Sequence, residues 1–78
     1  MIETTPLPAV PATLVAALSR VAGACGTPTD WQSVTCWAST VGLEAAARVV
    51  HLVAKELDPK GRWTPARWAH MLANRAAA

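Results

Sequence analysis

Reading apolar and polar positions at helical spacing divides the chain into four segments. The clearest runs from about Leu43 to Leu57, where Leu43, Ala46, Ala47, Val50, Val53 and Leu57 form one stripe and Ala45, Val49 and Leu52 widen it. Its single polar line is Glu44, Arg48, His51, Lys55 and Asp58, with Glu44 and Arg48 in the favourable order four residues apart. So wide an apolar face predicts a central helix packed on several neighbours. Before it, Leu14, Leu18, Val21 and Cys25 recur at helical spacing and predict a helix from about Pro11 to Ala24 that stops at Gly26, with Cys25 on the core side. A second helix, about Pro28 to Thr40, places Trp31, Val34, Ala38 and Val41 on one face, and Cys36 with Gln32, Ser39 and Thr40 on the other. The last, about Pro65 to Arg75, buries Trp68, Met71 and Leu72 and turns Arg67, His70 and Asn74 outward.

The helix starts carry their own signals. Proline is accepted in a first helical turn because its missing N–H would find no partner there, and Pro11, Pro28 and Pro65 each precede a large apolar residue by three positions. In Thr27-Pro28-Thr29-Asp30-Trp31 and Thr64-Pro65-Ala66-Arg67-Trp68 a threonine is placed to cap the helix, and Asp30 suits the positive end of the helix dipole. Trp63 before the second cap and Trp68 at the fourth helical position have the spacing of a hydrophobic staple. Asp58-Pro59-Lys60-Gly61 predicts a type I turn closing the third helix. These elements make an all-α fold, a compact bundle of four short helices in one domain over residues 10–76, preceded by a flexible arm over residues 1–9; the closing alanines read as a loose end.

Composition narrows the class. With 53% hydrophobic and only 15% charged residues the chain has enough apolar surface to fold. At 78 residues it holds one core and buries only ~60% of the surface of its unfolded chain, so stability on the order of 5 kcal/mol is expected. The opening Met1 to Pro6 has no basic stretch, and no uncharged apolar run reaches the ~20 residues that span a bilayer, so a soluble cytoplasmic chain away from membranes is expected. In such a reducing compartment Cys25 and Cys36 are expected as free thiols rather than as a disulfide.

Candidate chemistry is sparse. Cys25, Cys36, His51 and His70 are zinc-ligand types, but no Cys-x-x-Cys pair and no histidine pair one turn apart occurs. Cys36 has no basic neighbour to lower its thiol pKa and no glycine turn for an oxyanion hole, and no glycine loop suits a phosphate. A non-enzymatic binding protein without metal or cofactor is therefore expected. The net charge of +2 is concentrated in the second half, in Arg48, Lys55, Lys60, Arg62, Arg67 and Arg75 against Glu44, Glu56 and Asp58.

Two binding classes compete for that half. An arginine beside a tryptophan is the pair most often found anchoring protein interfaces, and this favours an accessory or inhibitory protein that binds a larger partner. Its interface would comprise Arg62, Trp63, Arg67, His70 and Asn74, with Trp37 as a further anchor, and a homodimer is compatible with it. The alternative is a small DNA-binding regulator in which Arg67, His70 and Asn74 of the fourth helix read bases while Lys60 and Arg62 contact phosphates. Trp37 to Leu43 also resembles the end of the first helix and the turn of a helix-turn-helix unit. Arg48 stands where that pattern wants an apolar residue, however, and Glu44-Ala45-Ala46-Ala47 offers little to base edges.

Overall fold

A computed structural model describes residues 7–77. Four α-helices follow one another, α1 Val15–Ala22, α2 Pro28–Val41, α3 Leu43–Leu57 and α4 Pro65–Ala77, with a 3₁₀ turn at Ala12–Leu14 leading into α1. About 74% of the described residues are helical, and none of them is in a strand. Its radius of gyration of 11.9 Å is close to the ~11.5 Å of a compact domain this long. Both α2 and α3 touch all three other helices, and the most extensive packing joins α3 to α4. Leu18, Val21, Val34, Ala46, Val50, Trp68 and Leu72 meet in one core. The first six residues of the expected flexible arm lie outside the described residues, as does Ala78.

The helix ends follow their local chemistry. Thr27 caps α2 through a reciprocal box: its Oγ1 accepts from the Asp30 backbone N–H at 3.2 Å, and Asp30 Oδ2 accepts from the Thr27 N–H at 3.0 Å. Gly42 alone separates α2 from α3, at φ 101° and ψ 135°, a conformation that side chains resist. Asp58–Gly61 forms the expected turn, the Gly61 N–H donating to the Asp58 carbonyl at 2.9 Å. At its far end α4 continues past Arg75 to Ala77, since alanine is the best helix former.

The first helix is shorter than its periodicity implies. It ends at Ala22, and Cys25, expected on the core stripe, is exposed. The reason is a Schellman closure in which Cys25 N–H donates to the Arg20 carbonyl at 2.8 Å, Ala24 N–H donates to Val21 at 3.2 Å, and Ala24 takes a left-handed φ of 62°. Other apolar positions also depart from their stripes. Trp37, expected at the surface, is buried, because α2 is packed on by three helices and its buried arc extends beyond the Trp31–Val34–Ala38 line. Trp31 conversely sits at the edge of the core, half-buried. On α3, Leu43 and Leu57 stand at the ends and Leu52 on the outer side, all exposed, while Ala46, Ala47, Val49 and Val50 are buried.

One ion pair among the described residues ties two helices together. Arg20 on α1 grips Asp30 on α2 as a fork, Nε to Oδ2 at 2.7 Å and Nη2 to Oδ1 at 2.8 Å. Glu44 and Arg48, though well spaced on α3, form no ion pair.

Candidate interaction surface on α4

The start of α4 sets the geometry of the basic surface. Thr64 Oγ1 accepts from the Arg67 N–H at 3.2 Å and so caps the helix, with Pro65 at the first helical position. Trp63, just before the cap, meets Trp68 with ring centroids 4.6 Å apart and planes tilted by 48°, so the expected staple forms. Trp68 is buried and Trp63 half-buried. Arg67, one turn above Trp63, lays its guanidinium over the Trp63 ring, Cζ standing 4.9 Å from the centroid.

This packing gives Trp63 a different part from the expected free anchor. Its ring is shared between Trp68 and Arg67, so it supports the arginine. A guanidinium over an indole face is attracted by the ring's negative face, which favours this position for the Arg67 side chain. His70 and Asn74 follow along the same exposed line of α4, with the Asn74 amide nitrogen 3.3 Å from His70 Nε2. Lys60 and Arg62 are exposed in the loop before the helix. The sixth expected residue, Trp37, belongs to the core and takes no part in this surface.

The fold adds residues of α3 that lay outside the expected set. His51 and Lys55 of α3, with Asp58, Trp63 and Trp68, line a small cleft of about 30 Å³ where the end of α3 passes the start of α4. Lys55 and Arg67 thus border one aromatic centre, Lys60 and Arg62 are exposed in the loop leading to it, and none of the four is in an ion pair among the described residues. A second arginine, Arg75, lies over Trp31, its Cζ 4.7 Å from the ring centroid. A wider depression of about 540 Å³ between the starts of α3 and α4 is lined by Glu44, Arg48, Pro65, Ala66 and Ala69 and converges no functional groups on a point.

Chemically the α4 surface is suited to holding carboxylates or phosphates. Cys25 and Cys36 are both free and exposed, and among the described residues no three His, Cys, Asp or Glu side chains gather as they would around a metal ion. No helix among the described residues is long and apolar enough to cross a membrane. No family model, no curated protein and no solved structure matches this chain.

Proposed function

We propose that this chain is a small accessory or inhibitory protein that docks on a larger, acidic protein through the α4 face, and that it acts by binding rather than by catalysis. The observation that carries this reading is Arg67 lying over Trp63, with Lys55 lining the cleft beside the same ring, Lys60 and Arg62 exposed in the adjoining loop, and none of the four in an ion pair among the described residues. A guanidinium ordered before binding loses less side-chain freedom when a carboxylate arrives. Asn74 and His70, already beside one another, would form the polar rim.

The same cations give a nucleic-acid reading its support. Against it, the Asn74 amide and His70 ring are engaged with each other, and Arg67 is folded onto Trp63 instead of extended toward a groove. The single-residue joint at Gly42 is also shorter than the three or four residues of a helix-turn-helix turn.

The test uses the tryptophans as reporters. Titration with random-sequence duplex DNA at low and near-physiological salt should leave their fluorescence unchanged, and capture from nuclease-treated lysate should recover a protein that an Arg62→Ala/Arg67→Ala variant loses. Saturable quenching by DNA that weakens steeply with salt would replace the docking reading by the nucleic-acid one.

A further inference from the structure

The joint between α2 and α3 divides the chain into two helical hairpins, each tied within itself. Arg20 and Asp30 bind α1 to α2, and α3 makes its most extensive packing with α4. The hairpins are held to one another by the core, where Val21 and Val34 of the first share a cluster with Val50 and Leu72 of the second, and by Arg75 over Trp31. The covalent link between them is a single residue, Gly42.

Gly42 turns the chain by its backbone alone. Its φ of 101° lies where a side chain is resisted, yet a Cβ built there would meet nothing within 4 Å. Glycine is needed for the dihedral and not for space. The Gly42 N–H still donates to the Ala38 carbonyl at 2.9 Å, and the Gly42 carbonyl accepts from the Ala46 N–H at 2.9 Å. Both helical ladders thus reach the glycine. Only three bonds, from the N–H groups of Leu43, Glu44 and Ala45 back to the carbonyls of Ser39, Thr40 and Val41, separate the pair from one continuous helix. Those six groups are orphans of two helix ends, and no side chain caps the start of α3.

We propose that Gly42 is a hinge, and that two copies of this chain exchange their α3–α4 hairpins when α2 and α3 straighten into one helix over residues 28–57. Exchange needs no new surface, because the core contacts between the hairpins of one chain are remade between the hairpins of two. The three added hydrogen bonds favour the straight form, while the translational freedom of separate chains favours the folded-back one, so concentration sets the balance. Lys55, Trp63, Arg67, His70 and Asn74 all lie within one hairpin. Each copy therefore carries its α4 surface whole through the exchange, and the dimer presents it twice. Docking would then be bivalent, although the exchange itself does not depend on what α4 binds.

Gly42→Ala tests the hinge, since alanine resists the folded-back dihedral and favours the straight helix. The full chain, warmed to its thermal midpoint and cooled, is followed by sedimentation equilibrium from micromolar to millimolar concentration. Its apparent mass should rise from 8.2 kDa toward twice that value, and half-association of Gly42→Ala should fall at a concentration about tenfold or more below that of the unaltered chain. Complementation tells exchange from side-by-side pairing, and decides the matter alone if Gly42→Ala does not fold. Val21→Asp and Leu72→Asp each put a charge at a sealed core position, one in each hairpin, and each should leave its chain unfolded. Mixed, they should regain roughly half the native helix signal in circular dichroism, because one of the two exchanged units then holds only intact hairpins. A folded Gly42→Ala protein of 8.2 kDa at every concentration, or a mixture as unfolded as its two components, overturns the proposal. Arg67→Ala should leave both results unchanged, so failure of the α4 docking reading is separately visible.

Discussion

Ala24 closes α1 in the left-handed region, at φ 62°, where a side chain costs roughly 1–2 kcal/mol because its Cβ crowds the following carbonyl. Both hydrogen bonds of the Schellman closure form around it regardless, from Ala24 to Val21 and from Cys25 to Arg20. Glycine avoids the crowding and gives back part of the gain through its freer unfolded chain, by about 0.5–1 kcal/mol. Ala24→Gly should therefore stabilise the protein by several tenths to about 1 kcal/mol, read as a higher urea midpoint at unchanged slope. A lower midpoint would mean that the Ala24 methyl makes contacts worth more than its strain. The same closure turns Cys25 out to solvent, with its thiol 3.4 Å from the Gly23 carbonyl.

Between elements, Asp30 joins two tasks in one carboxylate. It closes the α2 capping box and receives the Arg20 fork from α1, with the Asp30 side chain 8% exposed and Arg20 half exposed. The Arg20 hydrogen bonds, and after them the Thr27 backbone N–H, hold the Asp30 carboxyl well below the usual carboxylate range. A folded-state pKa below the unfolded value of roughly 3.9 means that this contribution is fully present above about pH 4 to 5 and fades as pH falls through the folded value. Thermal melts should accordingly separate the protein from its Asp30→Asn variant at neutral pH, with the gap narrowing steadily below about pH 4. Parallel curves across that range would show that the carboxylate's charge contributes nothing to α1–α2 docking. How far the elements could be read from sequence depends on whether their signals are local. Thr27, Pro28, Thr64, Pro65 and the Trp63–Trp68 staple lie within five residues of what they bind, and α3 runs from Leu43 to Leu57 as its stripe implies. The Arg20–Asp30 fork spans two helices, and so does the approach of His51 and Lys55 to Trp63. Burial of Trp37 and exposure of Leu52 and Leu57 likewise depend on which sides of a helix its neighbours cover. The candidate site was legible in Lys60, Arg62, Arg67, His70 and Asn74, which share one helix and its leading loop, and illegible where α3 contributes to it.

For the molecule as a whole, the margin is set by a small aliphatic core. The largest side chains sealed completely from water are Leu72, Val21, Val34 and Val50, and a domain of this size has on the order of 5 kcal/mol to lose. Leu72 sits on α4, which packs against both α2 and α3. Truncating a buried leucine to alanine costs roughly 2–5 kcal/mol through lost transfer energy and the cavity left behind. Leu72→Ala should therefore consume much of the stability and bring the thermal midpoint close to ambient temperature, whereas Leu57→Ala, at an exposed site, should change stability by no more than about 0.5 kcal/mol. A Leu72→Ala protein with an unaltered melt would mean that α4 is not integral to the core. The contrast also separates structure from recognition on α4. Leu72→Ala should lose partner binding in step with unfolding, so that cooling restores it. Arg67→Ala should lose binding at every temperature while its helix content stays at the native level, because Arg67 is exposed and only covers Trp63 from outside.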